Sequence, residues 1–435
     1  MAKTKSIIYG ILRPIVQLGA RIFMRQLSIR GLENFPKNKP VILISNHQNA
    51  MLDPVLLCVF IPRQLHWLTR ADVFKKGLVE KFLHQLNMMP VYRERDGVDD
   101  LRTKNQLVFE ECFRRLSAGA AVAMFPEGTH RGKKQLIPFK KGLARLAFGA
   151  QSAGVKDLHI VPIGLDYSGF YDYHPEFTVR IGKPIDVQPY TNDTDAASAM
   201  NRLLNDAKSS LSELMVDAQS EKHYEAAVGL RELVMSLSPS KSFHDAFDFY
   251  LAFTKKWEHE EDESIIQTAN EYLEISSRFA IDDLEADATS SKQNLRLLGL
   301  GIFLPIYLLG RTFYAPLERW IERFIKKVVK DLLFKNSLRL AFFTFLAPLY
   351  TTVIVSLLAV IFEWSFITTI CIIASQLIIG RLTIFWLRMY NRWRKSNRWM
   401  KWNKSSSTER LHWGEKRAIL VNYITTQMRG YSKNV

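Results

Sequence analysis

The stretch VILISNHQNAMLDP, from Val41 to Pro54, places a run of apolar residues directly before Asn46 and His47. A continuous apolar run of this length is typical of a strand that is buried on both faces, as strands in parallel sheets are. Asp53 follows six positions after the histidine. A histidine at the end of a strand can be an ordinary core residue or a catalytic base with Asp53 as its partner, and other parts of the chain must decide between the two.

Short apolar runs alternate with helical patterns from residue 41 to residue 184. The helical patterns cover residues 50–60, 72–86, 99–117 and 140–153. The predicted strands are Val41–Ser45, His66–Thr69, Met89–Tyr92, Ala121–Phe125, Leu158–Leu165 and Phe177–Gly182. Alternation of this kind predicts an α/β fold with a mainly parallel sheet flanked by helices. We place this domain at residues 31–190.

Residues 1–30 are predicted to hold an amphipathic helix. Arg13, Gln17, Arg21 and Arg25 recur at every fourth position, whereas the isoleucines and leucines of residues 7–24 lie away from them. A basic stripe opposite an aliphatic face is typical of a helix that lies in a membrane interface. The alternative is an ordinary amphipathic helix that covers a core.

The whole chain is basic, with 59 Lys and Arg against 43 Asp and Glu over 435 residues and a net charge of +16. This charge predicts an acidic partner, which could be membrane lipid, a phosphorylated substrate or nucleic acid. Nucleic acid is disfavoured because the aromatic residues cluster in the apolar C-terminal part and not among the basic residues. Cys58, Cys112 and Cys371 have no metal-ligand spacing, which indicates a reducing compartment and no metal site.

The charge reverses in residues 191–290, which contain 21 acidic residues and 8 basic ones. The pattern there indicates several helices with a break near residues 238–242, and no residues in a catalytic arrangement. We therefore predict an acidic helical region over residues 191–294 that serves as an insertion or spacer.

The C-terminal part is predicted to be a membrane region over residues 295–390. Leu340–Phe362 is uncharged over 23 residues, enough to cross a bilayer, and Ser365–Gly380 is also uncharged. We predict spans at about residues 338–362 and 365–387, and a re-entrant or interfacial segment at residues 297–315 because that apolar run is short. Basic residues flank the two spans on both sides, including the tail at 391–435, which predicts that both flanks are cytoplasmic.

A second polar cluster follows the apolar run at Ala121–Phe125. It offers a carboxylate at Glu127, a glycine at Gly128 and a hydroxyl at Thr129. Basic residues come next: His130, Arg131, Lys133, Lys134, Lys140 and Lys141. Ligands of parallel sheets bind outside the carboxyl ends of the strands, and a basic loop that leads into a helix suits a phosphate group. The alternative is a surface turn with solvated lysines.

The two clusters together resemble the glycerol-phosphate acyltransferase superfamily, which includes lysophosphatidate acyltransferases. The matching motifs are NHQNAMLD at 46–53, FPEGTHR at 125–131 and VPIGL at 161–165. The resemblance covers roughly residues 30–190 and implies the fold of glycerolipid acyltransferases. The commonest family spacing has four residues between the histidine and the aspartate, whereas here Gln48–Leu52 are five. That spacing resembles the subset that acts on glycerol-3-phosphate or dihydroxyacetone phosphate, found in fungal enzymes and in membrane-bound bacterial relatives.

The longer spacing is compatible with a His47–Asp53 pair. On an ideal helix at about 100° per residue, neither the family spacing nor the spacing here brings the aspartate back to the face of the histidine. The pair therefore requires a turn, and a turn can absorb one more residue. Pro54 is favoured in a first helical turn, which predicts a helix that begins near Asp53.

The resemblance also implies roles for individual residues. His47 is the general base and Asp53 orients it, while the substrate hydroxyl attacks the acyl donor directly. Of the predicted substrate-binding residues, His130 stands where the family usually has an arginine and Arg131 where a serine is common. The predicted substrate-binding set is Arg93, Glu127, Gly128, Thr129, His130, Arg131, Lys140 and Lys141, and the predicted acyl-donor side is Val161 and Pro162.

The sequence thus predicts a membrane-bound O-acyltransferase that makes phosphatidate or lysophosphatidate. Its predicted partners are the lipid bilayer, an acyl donor and a phosphate-bearing acceptor, with acyl-CoA or acyl carrier protein as co-substrate and no cofactor, metal or nucleic acid. The active site is expected to face the cytoplasm, at a bacterial inner membrane or at the endoplasmic reticulum. The alternatives are another lysolipid or aminolipid acceptor, or a membrane scaffold. The oligomeric state and the first or second acylation step stay open.

Overall fold

The computed structural model describes residues 6–74, 77–97, 99–281, 283, 290–404 and 407–431. The chain forms two compact units. The first unit comprises residues 1–216 together with residues 329–344, and the second comprises residues 217–328 and 345–435.

The first unit is built on an eight-stranded sheet. Its strands are β1 (Gln26–Arg30), β2 (Val41–Ser45), β3 (Leu65–Arg70), β4 (Met88–Val91), β5 (Ala121–Met124), β6 (His159–Tyr167), β7 (Glu176–Ile181) and β8 (Ile185–Asp186). The order is β1-β7-β6-β2-β5-β3-β4, with β8 beside β6. Strands β6, β2, β5, β3 and β4 pair in parallel, as do β1 and β7, whereas β7 and β8 run antiparallel to β6. The carboxyl ends of β2, β5, β3 and β4 therefore lie at one edge of the sheet.

Helices cover both faces of this sheet. In chain order they are α1 (Ile7–Phe23), α2 (Leu52–Phe60), α3 (Leu78–Gln85), α4 (Leu101–Ser117), α5 (Gly142–Ser152), α6 (Gln188–Thr191) and α7 (Ala196–Ser212). Alternate residues of β2 belong to different cores: Val41 and Leu43 pack with α2, whereas Ile42 and Ile44 pack with α4, α5 and α7. Burial on both faces is the reason for the continuous apolar run in the sequence.

The predicted fold class is confirmed, since the sheet is mixed but mostly parallel and is flanked by helices. The predicted strands all exist, with ends that shift by at most two residues. The sequence patterns missed β1 and β8. Strand β1 lies in the range that we assigned to the N-terminal helix alone, and its polar ends, Gln26 and Arg30, break the apolar pattern because it is the outermost strand.

The N-terminal helix α1 turns part of its basic side toward the protein. Arg13 donates from Nη2 to the Ile61 carbonyl at the end of α2, at 2.6 Å, and Arg21 lies over the Phe60 ring. The large hydrophobic residues that α1 exposes are Ile7, Ile11, Ile15 and Leu18, and Arg21 is exposed beside them. An exposed aliphatic face is compatible with the predicted interfacial role, which stays a prediction.

The second unit joins the acidic helices to the basic C-terminal tail. Its helices are α8 (Glu221–Gly229), α9 (Arg231–Ser236), α10 (Phe243–Trp257), α11 (Glu263–Phe279), α12 (Ser290–Val328), α14 (Ala347–Ile361), α15 (Phe366–Asn403) and α16 (Thr408–Gln427), whereas α13 (Lys335–Ala341) belongs to the first unit. Glu271 of α11 pairs with Lys416 of α16 at 2.7 Å, and Asp283 pairs with Arg417 at 2.7 Å. The acidic region therefore neutralises part of the tail.

Three helical stretches among the described residues are long and apolar enough to cross a membrane: 291–328, 332–361 and 366–403. The last two cover the predicted spans at about residues 338–362 and 365–387, except for one residue of each. The first differs from the expected re-entrant segment at residues 297–315, because α12 runs through Pro305 and Pro316 as one helix of 39 residues. Neighbouring helices and local adjustments can satisfy the backbone groups that a proline frees in such a helix.

A close backbone approach makes Gly31 a test of this fold. Gly31 has φ of 81°, and a Cβ there would lie 2.1 Å from the carbonyl oxygen of Ile181 at the end of β7. Gly154 has a similar φ of 83° with nothing within 4 Å of its Cβ position. We expect Gly154→Ala to lower the free energy of unfolding by about 1–2 kcal/mol and Gly31→Ala by about 1–3 kcal/mol more.

The measurement is the thermal unfolding midpoint of both variants and the unchanged protein in the same detergent. Equal midpoints for the two variants would show that the contact between Gly31 and β7 is looser than the structure has it.

Candidate active site

A loop at the carboxyl end of β2 holds His47 next to Asp53. The His47 Nδ1 lies 2.9 Å from Asp53 Oδ2. An ionised carboxylate can only accept hydrogen bonds, so Nδ1 carries the proton and Nε2 is left with its lone pair. The Phe125 ring stacks on the imidazole at 3.8 Å between centroids. Burial differs between the partners, since the His47 side chain is 14% exposed and that of Asp53 is fully buried.

Four donors converge on the Asp53 carboxylate. Besides His47, the backbone N–H groups of Gln48 and Asn49 each donate to Oδ2 at 2.8 Å. The Tyr167 hydroxyl donates to Oδ1 at 2.7 Å. Burial and the neighbouring Asp53 raise the pKa of Tyr167 well above its usual value, so the phenol keeps its proton. The carboxylate therefore fixes both the imidazole and the loop that carries it.

Helix α2 explains how five intervening residues are accommodated. It begins at Leu52, and residues 46–51 form an irregular turn in which Ala50 has a positive φ of 33°. Asp53 lies in the first turn of this helix, where a negative charge is favoured by the helix dipole. The sequence predicted a turn between His47 and Asp53 and a helix that begins near Asp53, and the structure has both.

The loop after β5 supports the His47 loop from the other side. Glu127 is buried, its Oε1 accepts the His47 N–H at 2.8 Å and its Oε2 accepts the Ile137 N–H at 3.3 Å. The Arg131 N–H donates to the His47 carbonyl at 3.0 Å. Both backbone polar groups of His47, its N–H and its carbonyl, are therefore hydrogen-bonded to the second motif loop.

A buried ion pair lies behind Tyr167. Lys134 donates from Nζ to both Asp166 carboxylate oxygens, at 2.6 and 2.7 Å, and to the Tyr167 carbonyl at 2.7 Å. Both side chains of the pair are 2% exposed. Lys134 is therefore a buried residue and not one of the solvated lysines of a surface turn. It fixes the backbone of Tyr167, whose hydroxyl donates to Asp53.

The other predicted residues of the second motif lie at the surface of the site. Gly128 has φ of 72°, and a Cβ there would meet the Lys140 side chain at 3.5 Å. The Lys140 N–H donates to the Pro126 carbonyl at 2.8 Å, which brings the start of α5 to this loop. The exposed members of the predicted set are Gly128, Thr129, Arg131, Lys140 and Lys141. They form a basic rim beside the buried Glu127.

His130 has a partner from a distant part of the chain. Its Nε2 lies 2.8 Å from Asp331 Oδ2, and its ring is 5.2 Å from the His47 ring between centroids. The residue that replaces the family's arginine is therefore itself held by a carboxylate.

The remaining predicted site residues lie farther from His47. Arg93 follows β4, three strands from β2, which is about 14 Å at the usual strand spacing. Its guanidinium is 2.8 Å from Asp96 and 3.6 Å from Asp72. Val161 and Pro162 are buried within β6, in register with Leu43 and Ile44 of β2. The structure leaves the predicted roles of all three untested.

A family model described as Acyltransferase matches residues 26–166. The 1-acyl-sn-glycerol-3-phosphate acyltransferase alpha of Homo sapiens is 25% identical over 206 residues, which cover 46% of this chain and 68% of that protein. The 1-acyl-sn-glycerol-3-phosphate acyltransferase of Bacillus subtilis is 27% identical over 128 residues, which cover 28% and 59%. Glycerol-3-phosphate O-acyltransferase 1 of Saccharomyces cerevisiae is 25% identical over 140 residues, which cover 31% and 18%.

Residues 26–166 match the acyltransferase family. The resemblance and the expectation of an enzyme that transfers acyl groups are confirmed at that level, through residues 26–166. The matches span 68% of the human relative and 59% of the Bacillus relative.

Several residues of this candidate site were missed by the sequence analysis. Asn46 exchanges two hydrogen bonds with the Leu165 backbone, at 2.9 and 2.8 Å, and was quoted without a role. Tyr167 and Asp166 directly follow the VPIGL motif, so their position was a usable signal. Asp331 lies about 200 residues from His130 in sequence, and no local pattern marks it.

The Lys134–Asp166 pair gives a test of the site's framework. We expect Lys134→Met to lower the free energy of unfolding by about 3–5 kcal/mol, because it leaves a buried carboxylate without its cation. Adding Asp166→Leu to that variant should recover a large part of the loss. Thermal unfolding in detergent measures both effects.

Lys133→Met is the matched control, because it removes the adjacent, exposed lysine. Its unfolding midpoint should stay close to that of the unchanged protein. A loss for Lys134→Met no larger than for the control would contradict the buried pair.

Proposed function

We propose that the protein transfers a fatty acyl group from a thioester donor to the hydroxyl of glycerol-3-phosphate or 1-acylglycerol-3-phosphate. The observation that carries this proposal is the His47–Asp53 pair, which leaves an imidazole lone pair at a polar sheet edge beside a basic rim. The names of the human, Bacillus and yeast relatives support this class of acceptor.

His47 acts as the general base in this proposal. Its Nε2 takes the proton from the acceptor hydroxyl while the oxygen attacks the thioester carbonyl, forming the new C–O bond. The C–S bond then breaks, and the departing sulfur takes the proton from the imidazolium. Asp53 keeps Nδ1–H in place and stabilises the imidazolium charge. Such direct attack requires no enzyme nucleophile, and burial raises the pKa of the Cys58 thiol to about 11, which keeps it protonated.

The acceptor's phosphate is assigned to the basic rim. Arg131 is exposed, and its backbone is hydrogen-bonded to His47, so a phosphate on this residue would hold the acceptor close to the base. Lys140 and Lys141 lie at the start of α5, where the helix dipole also favours an anion. Glu127, because it is buried and accepts two backbone N–H groups, supports the loop and does not bind the acceptor directly.

The acyl donor is proposed to be acyl-CoA or acyl carrier protein, with no cofactor. A membrane location suits this chemistry, since the products are lipids and three helical stretches could cross a bilayer. We place the active site at the cytoplasmic leaflet because the basic flanks of the apolar helices favour that side.

The first prediction concerns the catalytic pair. With purified protein in lipid vesicles, thiol release from acyl-CoA should be stimulated by glycerol-3-phosphate or 1-acylglycerol-3-phosphate. We expect His47→Ala and Asp53→Asn each to lower kcat by roughly 100-fold or more, because the base or its orientation is lost.

His84→Ala, at an exposed histidine of α3, is the control and should leave the rate unchanged. A His47→Ala variant with full activity would reject His47 as the base. If no phosphate acceptor stimulates thiol release, the same assay with acyl carrier protein and with aminolipid acceptors decides whether another acyl transfer takes place.

A second prediction concerns membrane topology. Helices α11 and α16 are joined by the Glu271–Lys416 pair, and both lie outside the three apolar stretches. The number of crossings between them must therefore be even, and we propose that the stretches of α14 and α15 cross the membrane whereas that of α12 does not. Single cysteines at Asn270 and Gly414 should therefore react with an impermeant thiol reagent from the same side of a sealed vesicle. A cysteine at Glu363, between α14 and α15, should react from the other side.

The labelling uses a chain whose three natural cysteines are replaced by alanine. Reaction of positions 270 and 414 from opposite sides would mean an odd number of crossings and would refute the α11–α16 contact in the membrane-bound protein.

A further inference from the structure

Residues 329–344 lie in the sequence between the apolar helices α12 and α14, but they pack in the first unit. We call residues 329–344 the return segment. It contains α13 and packs in the acyltransferase unit, whereas the residues before and after it belong to the second unit. No motif of the family match covers it, since that match ends at residue 166.

The return segment is firmly attached to the first unit. Asn336 is fully buried, and its Nδ2 donates at 3.0 Å to the carbonyls of Phe170 and Asp172 in the loop after β6. Arg339 lies over the Tyr173 ring at 4.9 Å. Thr344 packs so closely on α1 that a Cβ at Gly19 would lie 2.1 Å from its Oγ1. The position of its first residues is therefore well determined by the rest of the unit.

Those first residues lie against the second motif. Asp331 Oδ2 is 2.8 Å from His130 Nε2, and the Phe334 ring meets the imidazole edge-on at 5.7 Å. Leu333 approaches Gly132, where a Cβ would lie 2.9 Å from its Cδ2. His130 is thus enclosed by the return segment on one side and by His47 on the other.

We propose that Asp331 is a positioning residue for the acceptor's phosphate: it fixes His130 so that the imidazolium binds the phosphate beside the base His47. This inference rests on the proposed function and adds to it a phosphate ligand and the residue that orients that ligand.

The chemistry of the pair supports this role. An imidazolium donates from both nitrogens, so with Nε2 held by Asp331 the Nδ1–H is available for a phosphate oxygen. Partial burial acts to raise the pKa of Asp331, but the hydrogen bonds from His130 and from the Leu333 N–H outweigh it and hold this pKa below its usual value. The carboxylate is therefore charged, and it lies 2.8 Å from His130 Nε2, at a position where the family usually has an arginine.

His130 with Asp331 is less suited to be the catalytic base than His47 with Asp53. The Asp331 side chain is 43% exposed, whereas that of Asp53 is fully buried and accepts hydrogen bonds from four donors. A solvated carboxylate orients its imidazole less rigidly but serves well to keep a cation beside a dianionic ligand.

The test is steady-state kinetics of the full chain in lipid vesicles, with acyl-CoA and the preferred phosphate acceptor. We expect Asp331→Asn to raise KM for the acceptor by roughly 10-fold, the usual effect of losing a hydrogen bond to a charged group. The kcat and the KM for acyl-CoA should stay nearly unchanged. Asp331→Glu should restore most of the acceptor affinity, which a general loss of folding would not allow.

Asp157→Asn is the matched control, because it makes the same change at an exposed aspartate before β6, at the opposite edge of the sheet. An acceptor KM for Asp331→Asn equal to that of the control would overturn the proposal. A drop in kcat with unchanged KM would also overturn it, because Asp331 would then act on the chemical step.

A second measurement does not depend on activity. Diethyl pyrocarbonate reacts with unprotonated imidazole, and mass spectrometry gives the rate of labelling at His130. Without the carboxylate, His130 should be labelled about threefold faster in Asp331→Asn, because its charged form is less favoured. Equal labelling rates would show that the pair does not form. If the pair forms but no phosphate acceptor supports thiol release, the proposed function fails and the phosphate role with it.

Discussion

The buried carboxylate of Asp53 is the interaction on which the site depends. Removing a charge from water is costly unless it is fully hydrogen-bonded, and this carboxylate accepts from His47, from two backbone N–H groups and from Tyr167. The same bonds that satisfy the charge also shape the loop after β2. The imidazole is therefore oriented by the same hydrogen bonds that fold this loop. A change that removes the carboxylate would disturb both.

The surrounding structure supports that carboxylate through further buried polar groups. The Glu127 carboxylate joins the two motif loops by accepting the His47 backbone N–H, and the Lys134–Asp166 pair holds the strand end that carries Tyr167. All of these groups lie at the carboxyl ends of β2, β5 and β6. A parallel sheet brings such ends together, and polar loops at one edge can share their hydrogen bonds while the apolar strands remain in the core.

Much of the fold and of the site could be predicted from the sequence, and the exceptions have physical reasons. The central strands were predictable because burial on both faces requires a continuous apolar run, whereas β1, at the sheet edge, has polar ends and no such run. The spacing of His47 and Asp53 predicted a turn followed by a helix. Lys134 could not be singled out because a basic run does not reveal which one of its lysines meets a buried aspartate.

The sequence by itself determined the α/β class, the order of the motifs, the membrane-type tail and the types of chemical group available. Those features depend on local composition and spacing, which are visible along the chain. Only the tertiary structure decided that Asp331 meets His130 and that α16 pairs with the acidic helix α11. Such contacts join residues far apart in sequence, and they depend on how the chain returns to each unit, which no local pattern encodes.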